Sequence, residues 1–421
     1  MCYGFDSRRV HMQIADLQIH SKYSRATSPN MVLEEIAKGA RTKGLNIVGT
    51  GDFTHPIWLK ELKRKLTSCD NGLFSFNAVQ FMLTGEISLM YTKNKKGRRI
   101  HHIILAPSFE VVDQINAWLD TKGRRDYDGR PIFGFDSVEF VEAMMSISRD
   151  IEIIPAHAWT SYFGILGSIS GFDSVEECFE DKAKYIHSIE TGMSSTPDMN
   201  WRISSLDKYT LVSNSDSHSP YPWRMGREAN VFDVKKASYD SIINSIRTRN
   251  GLAFTIETPP TYGKYHIDGH RPCNFSCEPG ESRKLSNKCP KCGKELIIGV
   301  LNRVEQLTDR PQGYTPSHAI PFKSVIPLSE LVSAVIGSPL QSKKTWGVYN
   351  LLIDRFKNEF NVLLNVEHKD LVKVVNEKLA DVITKNRTGG LKITPGFDGV
   401  YGKIILGDEE KQKSLKAFAK K

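Results

Sequence analysis

Short apolar runs alternate with amphipathic patterns from the start of the chain to about Thr258. Each run has the length of one buried strand, and several of the stretches between runs repeat apolar residues every three or four positions, as helices do. One such stretch begins at Ser28 and Pro29, which are typical of a helix cap and first turn, and ends near Gly44. Seven or eight strands with intervening helices predict an α/β fold whose parallel strands close into a barrel.

The pattern changes character after about residue 260. The next segment is polar, rich in Pro, Gly and Cys, and lacks a helical period, whereas the sequence beyond it has three long amphipathic patterns. We therefore predict a small module, a mainly helical domain and a charged tail after the barrel. The expected parts are residues 1–260 (barrel), 261–300 (module), 301–402 (helical domain) and 403–421 (tail).

The composition is that of a globular protein with no membrane segment. No window reaches the ~18 apolar residues that would span a bilayer. The N-terminal sequence has no apolar segment of a secretory signal, so we expect a cytoplasmic protein whose thiols stay reduced. The formal net charge of +9 suits a polyanionic partner such as nucleic acid, and equally a solvated surface with no special partner.

Metal-ligand residue types stand at or near the carboxyl end of almost every predicted strand. In chain order they are Asp16, Gln18 and His20, then Asp52 and His55, Glu86, His101 and His102, His157, Glu190, and finally Asp216 and His218. The carboxyl ends of the strands of a βα barrel converge on one face, where active sites form. Residues two apart on a strand project to the same side, which pairs Asp216 with His218 and Gln18 with His20.

This set of side chains indicates a site for several divalent ions. Imidazole together with carboxylate suits zinc, manganese or iron, and such ions polarise phosphoryl oxygens and activate water near neutral pH. A role in packing is the simpler interpretation of any one of these histidines taken alone. The strand-end register of the whole set is what predicts phosphoester hydrolysis.

Four of the seven cysteines lie in the small module with the pattern C-x3-C-x11-C-x2-C. They are Cys273, Cys277, Cys289 and Cys292. Two short-range pairs of this kind predict one structural zinc site with four thiolates. Two disulfides or free thiols are the alternatives, and a redox role for CPKC is disfavoured because this pair lies outside any βαβ unit.

Basic and aromatic side chains near the predicted strand ends and in the module are candidates for contact with nucleic acid. Arginine and lysine could hold phosphates, and aromatic rings beside a catalytic mouth could stack on an extruded base. A solvated basic surface and core packing are the alternatives. The candidates are Arg124, Arg125, Trp159, Tyr162, Trp201 and Lys291.

The order of the motifs DLQIH, GTGDFTH, TGEIS, HHIILA, PAHAW and NSDSHS resembles the polymerase and histidinol phosphatase (PHP) family of metal-dependent phosphoesterases. The stretches WTSYFGILGSISGFDSVEECF, IETGMSSTPDMNWR and PGFDGVYGK resemble one branch of it, endonuclease Q. The resemblance implies a distorted seven-stranded βα barrel, followed by a four-cysteine zinc module and a helical domain. It also implies cleavage of DNA on the 5′ side of uracil, hypoxanthine, xanthine or an abasic site.

The resemblance further implies which residues would bind two or three catalytic ions of zinc, manganese or magnesium. His20, Glu86, His101, His157, Asp216 and His218 match ligand positions of the family, and Glu86, His157, Asp216 and His218 are the expected catalytic residues. Asp52 and His55 match less closely, because the usual triplet TDH is stretched to TGDFTH. Gln18 stands where the family has the first histidine of D-x-H-x-H, and an amide oxygen is a poor zinc ligand.

Two other functions compete with a DNA endonuclease. The same chemistry serves small-molecule phosphatases of the histidinol-phosphate kind, although such a substrate needs neither a zinc module nor a helical domain. A non-catalytic DNA-binding or clamp-binding protein with a decayed metal site is the second, and Gln18 favours it.

The tail KQKSLKAFAKK has Gln412, Leu415 and Phe418 in Q-x-x-L-x-x-F spacing. It resembles the motif by which replication and repair proteins dock on the sliding clamp. Leu415 and Phe418, three apart, lie on one side of a helical turn and could enter an apolar pocket. A frayed basic tail is the alternative, and Ala419 in place of a second aromatic predicts a modest affinity.

Overall fold

The computed structural model describes residues 12–406, in which two units are distinguished. The first unit takes in residues 12–192, 197–257 and 308–323, and the second takes in the remaining described residues. Residues 407–421 lie outside the described part, and with them the tail motif of Gln412, Leu415 and Phe418. None of the described helices has the length and apolar character that a bilayer crossing requires.

The described residues contain both strands and helices throughout. The strands are β1 (Met12–Asp16), β2 (Ile47–Gly49), β3 (Thr67–Ser68), β4 (Phe74–Phe76), β5 (Val79–Lys93), β6 (Lys96–Ala106), β7 (Ile132–Phe133), β8 (Glu152–Pro155), β9 (Ser188–Glu190), β10 (Thr210–Val212), β11 (Ala229–Asp233), β12 (Leu252–Glu257), β13 (Asp268–His270), β14 (Phe275–Cys277), β15 (Phe322–Ser324), β16 (Lys392–Thr394) and β17 (Lys403–Ile405). The α-helices are α1 (Leu33–Lys43), α2 (Pro56–Lys65), α3 (Phe109–Asp120), α4 (Ser137–Ile147), α5 (Val175–Phe179), α6 (Pro197–Asn200), α7 (Tyr239–Thr248), α8 (Pro279–Lys284), α9 (Val300–Leu307), α10 (Leu328–Ile336), α11 (Lys343–Phe356), α12 (Glu359–Leu364), α13 (His368–Leu371) and α14 (Glu377–Arg387). Short 3-10 helices cover Glu180–Tyr185, Ser204–Leu206, Pro260–Tyr262 and Arg271–Cys273.

The large sheet is mixed, and this corrects the predicted all-parallel sheet. Strands β1, β2 and β5 are parallel neighbours, but β5 pairs antiparallel with β6, and β6 with β8. On the other side, β11 pairs antiparallel with both β1 and β12. Within the described residues the pairing does not close into a ring, because β9 and β10 form a sheet of their own.

A hairpin explains why the prediction of parallel strands was wrong for β5 and β6. Asn94 and Lys95 connect the two strands and both have positive φ, 54° and 61°. Two consecutive residues of this kind form the tight turn that matches the twist of antiparallel strands. Two long apolar runs joined in this way contain no intervening helix, so they cannot be the parallel strands of a βα unit.

The helices of the first unit begin and end where the local sequence provides for it. The predicted helix of residues 28–44 begins later, at Leu33, but ends as expected, since Gly44 adopts the left-handed conformation with φ 97°. Ser108, Asp136 and Ser174 cap α3, α4 and α5, each accepting a hydrogen bond from a backbone N–H of the first turn. These helices bury apolar faces, which include Ile36, Val112, Ile115, Phe140 and Met144.

The second unit contains two small hairpins and most of the C-terminal helices. Strand β13 pairs with β14, and β16 pairs with β17. Helices α10, α11, α12 and α14 pack together around a core of their own, whose fully buried members include Leu331, Leu352, Leu363, Leu379 and Ile383. The amphipathic patterns of the sequence therefore correspond to a packed helical cluster.

Candidate metal centre

Glu86, on β5, lies at the middle of a buried cluster in the first unit and contacts histidines with both of its oxygens. Its Oε1 lies 2.7 Å from His101 Nδ1 and 3.8 Å from His157 Nε2. Its Oε2 lies 3.2 Å from His20 Nε2. One carboxylate thus contacts histidines from three different parts of the chain. Glu86 and His101 lie in the middle of β5 and β6, and not at the strand ends that the sequence predicted.

Two groups of potential ligands surround this carboxylate. One consists of His20, Asp216 and His218, and the other of Glu86, His101 and His157. Within each group the ligand atoms all lie within 4.8 Å of one another. A dication bound among three such atoms has the donor set that zinc and manganese take in proteins, so the residues present fit a centre of two ions.

Three residues of this cluster have a strained backbone. Asp52, His157 and Asp216 have φ of 48°, 31° and 47°, in the region that side-chain-bearing residues rarely adopt. Such conformations cost on the order of 1–3 kcal/mol each, and they persist where the surroundings hold them. They turn these side chains toward one point at the strand ends.

Asp52 orients His20 and does not join either group. His20 Nδ1 lies 2.9 Å from Asp52 Oδ1, which directs Nε2 of the same ring toward Asp216 and Glu86. The other oxygen, Oδ2, accepts hydrogen bonds from the backbone and hydroxyl of Ser21 and from the hydroxyl of Ser24. Both Asp52 oxygens thus hold neighbouring groups in place, and its role as a ligand stays a prediction.

His55 lies away from both groups, which differs from the prediction. Its ring stacks on Tyr23 with centroids 4.4 Å apart, and its Nε2 lies 3.2 Å from the carbonyl oxygen of Asp126. The stretched motif TGDFTH explains the difference. It places His55 as the residue just before Pro56, where α2 begins, on the far side of a turn.

Gln18 faces the centre but donates a hydrogen bond to it. Its Nε2 donates to Glu86 Oε2 at 2.8 Å. Its Oε1 is buried and has no hydrogen-bond partner among the described residues. An unsatisfied buried carbonyl oxygen at the edge of a carboxylate cluster is a position that a cation can satisfy.

The electrostatics of the cluster favour cations. Burial works to raise the pKa of Glu86, but Arg130 and His101 hold it well below the usual range, so the carboxylate is charged. Burial lowers the pKa of His101 to about 3, which keeps this imidazole neutral and its lone pair available. Burial works to lower the pKa of His20, yet Asp52 and Asp216 raise it well above the usual range, because these carboxylates have an excess of negative charge.

Glu190 holds the backbone of His157, a member of the cluster, in place. Its Oε2 accepts a hydrogen bond of 2.6 Å from the backbone N–H of His157, and its Oε1 accepts one of 2.8 Å from Asn214. Burial raises the pKa of Glu190 to about 8. Glu190 is the last residue of β9, as expected, and it stabilises the backbone of His157, a potential ligand.

The small module of the second unit brings three cysteines together with a histidine. Cys273, Cys289 and Cys292 have their sulfur atoms within 4.8 Å of one another and of a ring nitrogen of His270. The hairpin of β13 and β14 produces this arrangement, and Gly293, with φ 73°, closes the turn after the second pair. None of these cysteines forms a disulfide.

Cys277 is the one predicted ligand that the module places elsewhere. It pairs across the hairpin with Asp268 and packs in one buried cluster with Cys289 and Leu296, against which Cys273 lies. His270 completes the group of four in which the ligand atoms lie close together. The signal for His270 was present in the sequence as H-x2-C, which has the same spacing as the C-x2-C of Cys289 and Cys292.

Two of the residues predicted to contact nucleic acid are engaged inside the first unit. Trp159 is fully buried and its indole N–H donates a 2.7 Å hydrogen bond to Asn200. Arg125 forms a paired contact with Asp120 and donates to the carbonyl oxygen of Thr54. Core packing, the alternative interpretation for the aromatic residues, describes Trp159, whereas Arg125 is half-buried in an ion pair with Asp120.

The other candidates keep some exposed surface. Tyr162 is 47% exposed and precedes Phe163, whose ring lies 4.3 Å from that of His101. Arg124 is exposed and pairs with Asp126. Trp201 is half-buried against Phe322, and Lys291 is exposed and donates to the carbonyl oxygen of Cys273.

The fold and the two ligand groups define a metal-dependent hydrolase, and comparison with known proteins narrows this class. The lesion-specific endonuclease PfuEndoQ from Pyrococcus furiosus superposes with a TM-score of 0.85 and 33% identity, covering 94% of this chain and 95% of that one. A structure of endonuclease Q with a 27-mer duplex carrying an abasic lesion gives a TM-score of 0.86 and 33% identity, covering 94% of this chain and 97% of that one. The chain belongs to the endonuclease Q family.

Two further matches concern parts of the chain. Residues 327–390 match the family model of the MJ0043 C-terminal domain. The protein MJ0043 of Methanocaldococcus jannaschii is 33% identical over 251 residues, which are 58% of this chain. The chain covers only 30% of the length of that relative.

Proposed function

We propose that this protein is a metal-dependent endonuclease that cuts a DNA strand at a damaged nucleotide. The observation that carries the proposal is Glu86, whose two oxygens face two separate groups of histidine and carboxylate ligands. The family to which the chain belongs supports it, since one member is a lesion-specific endonuclease and another has been seen with an abasic duplex at its active site.

Six residues would hold the two ions. They are His20, Asp216 and His218 in one group and Glu86, His101 and His157 in the other. Divalent ions bound there supply Lewis acidity toward a phosphoryl oxygen and a water molecule of lowered pKa. Gln18 could add its amide oxygen to this set if the amide group rotated. Its Nε2 would then no longer donate a hydrogen bond to Glu86.

The chain's own residues hold this centre in a state ready for binding. Asp52 fixes the tautomer and direction of His20, and Glu190 fixes the backbone of His157. The neutral His101 offers a lone pair without first losing a proton. Preorganisation of this kind avoids reorganisation when the substrate arrives.

The substrate proposed here is a strand with a deaminated base, namely uracil, hypoxanthine or xanthine, or an abasic site. Cleavage on the 5′ side of the lesion would leave a 3′-hydroxyl and a 5′-phosphate. Such an enzyme needs the damaged nucleotide turned out of the duplex, and an exposed ring can stack on what is turned out. Tyr162 is an exposed aromatic residue next to Phe163, whose ring contacts that of His101 in the centre.

The same proposal includes the domain organisation of the chain. Residues 1–260 would form the catalytic domain, as a distorted barrel, and residues 261–300 a zinc module. Residues 301–402 would form the helical domain and 403–421 the tail.

The sliding clamp is the proposed partner of Gln412, Leu415 and Phe418, with an affinity of about micromolar, roughly −8 kcal/mol. Calorimetry with the clamp should show heat for the full chain and none for a chain truncated after Asp408; equal binding by both would contradict docking.

Incubation of the protein and Mn²⁺ or Zn²⁺ with end-labelled duplexes tests the function. One duplex carries a single uracil, one hypoxanthine, one an abasic site, and the matched control carries none. We expect one cut on the 5′ side of each lesion and an intact control. Binding without cutting would favour a non-catalytic DNA-binding protein, and phosphate release from histidinol phosphate would favour a small-molecule phosphatase.

A further inference from the structure

Arg130 places a guanidinium group at the metal centre. Its Nη1 lies 3.3 Å from Glu86 Oε1, the oxygen that also contacts His101. The side chain is 22% exposed, so it reaches the cluster while keeping an opening to solvent. Neither the strand-end register nor the family motifs pointed to this residue, because it lies in the loop between α3 and β7.

The backbone around Arg130 is held firmly against the centre. Gly129 donates to the carbonyl oxygen of Tyr23 and accepts from the hydroxyl of Thr54. A side chain at position 129 has no room, because a Cβ there would lie 2.2 Å from Asp52 Oδ2. The Arg130 N–H in turn donates to Asp128 at 3.1 Å. The backbone next to Arg130 therefore lies close to Asp52, the carboxylate that contacts His20.

The charges at the centre change when ions bind, and this change affects Arg130. The guanidinium now compensates the charge of Glu86. Ions held by the two ligand groups would neutralise Glu86 and Asp216, and Asp128 would then be the remaining anionic neighbour of the guanidinium. A buried or half-buried arginine requires an anionic partner, and the planar fork of its N–H groups matches two phosphate oxygens.

We propose that Arg130 binds a non-bridging oxygen of the scissile phosphate and stabilises the charge that develops there. This inference rests on the proposed endonuclease function. Without substrate Arg130 holds Glu86, and with ions and DNA present it transfers its hydrogen bonds to the phosphate. It would therefore act as a catalytic residue, and Gly129 and Asp128 as positioning residues.

Cleavage kinetics test the proposal first. Under single-turnover conditions with saturating Mn²⁺ and an abasic duplex, Arg130→Ala should cut about 10²–10³-fold more slowly than wild type. Arg130→Lys should recover part of the loss, since it restores the charge without the fork. The control Arg64→Ala removes an exposed arginine near the end of α2 and should match wild type. The same rates are then measured over a Mn²⁺ titration of both proteins. A wild-type rate of Arg130→Ala at high Mn²⁺ would overturn the proposal, because it would mean that Arg130 only holds Glu86.

Binding provides a readout that does not depend on turnover. Anisotropy with Ca²⁺ as the ion compares a normal abasic duplex with one whose scissile linkage is an uncharged methylphosphonate. Wild type should bind the normal duplex several-fold more tightly. Arg130→Ala should show a smaller preference, because only the ions would then favour the charged linkage. If Arg130→Ala still discriminates as wild type does, the contact with this phosphate is wrong. An intact abasic duplex after incubation with wild type would instead contradict the proposed function itself.

Discussion

The side-chain amide of Gln18 donates a hydrogen bond of 2.8 Å to Oε2 of Glu86, the oxygen that also faces His20. The family motif has a histidine at this position, where a ring nitrogen would ligate an ion. In this chain the position instead contributes a donor to the shared carboxylate and leaves a buried carbonyl oxygen without a partner among the described residues. The result is a centre with two groups of potential ligands and one buried amide oxygen beside them.

Replacing Gln18 by histidine should strengthen ion binding. An imidazole there would join His20, Asp216 and His218, and we expect the zinc affinity of the chain to rise by about 10-fold, the scale on which residues supporting a ligand set change affinity. Competition with a chromogenic chelator measures this. The control Gln13→His adds a histidine to the same strand β1, away from the centre. Equal zinc affinities of the two variants would contradict a ligand position at residue 18.

The structural zinc site should depend on His270 and be indifferent to Cys277. Cys292→Ser and His270→Ala each remove one member of the group of four and should lower the zinc content by about one ion per chain. Cys277→Ser is the matched control, since this thiol lies outside the group of four. Elemental analysis after dialysis decides between them. Loss of the ion in Cys277→Ser with retention in His270→Ala would restore the four-cysteine set.

The stability of the first unit should fall as the pH rises, because of Glu257. Burial raises the pKa of this carboxyl to about 7, although hydrogen bonds from Thr255, Thr191 and Ser213 work to lower it. The folded state therefore holds the proton more tightly than the unfolded chain, whose glutamates have a pKa of about 4.3. The contribution of this group is fully present below about pH 4.3 and is lost as the pH rises through about 7.

Glu257→Gln removes this pH dependence. An amide cannot ionise, and the three hydroxyl groups around it can rotate to donate or accept as needed. Relative to wild type, the variant should gain about 2 kcal/mol of unfolding free energy between pH 5 and pH 8.5. Urea denaturation at both pH values measures the difference. A constant difference between the two proteins would show that Glu257 does not titrate in this range.

The metal centre could be predicted from the sequence to the extent that ligand residue types recur in or after successive strands. The six potential ligands were found in this way, but the alternation argument for Asp216 and His218 does not hold, because β10 ends at Val212 and Asp216 has φ of 47°. The positions of His55 and Asp52 could not be predicted, because an inserted turn with positive φ at Asp52 redirects both side chains. Such a turn has no periodic signature.

Features that depend on packing between distant segments were also hidden from the sequence. The hairpin at Asn94 and Lys95 reverses the direction that two apolar runs alone suggest. The burial of Trp159 depends on Asn200, 41 residues along the chain. Arg130 contacts Glu86, 44 residues away along the chain, and the neighbouring Gly129 lies close to Asp52. These contacts between distant segments could not be predicted from the local composition of the sequence.

The central claim is that the cluster at Glu86 cuts DNA, and the Asp216→Asn variant tests it most directly. Asparagine keeps the size of the side chain but removes the charge that would hold an ion with His20 and His218. The control Asp113→Asn removes an exposed carboxylate that pairs with Lys63. Cleavage of a uracil or abasic duplex with Mn²⁺ and anisotropy on the same duplex are measured for both. The account predicts loss of cleavage by roughly 10³-fold or more in Asp216→Asn, with DNA affinity largely unchanged and the control fully active. Full cleavage by Asp216→Asn would contradict it.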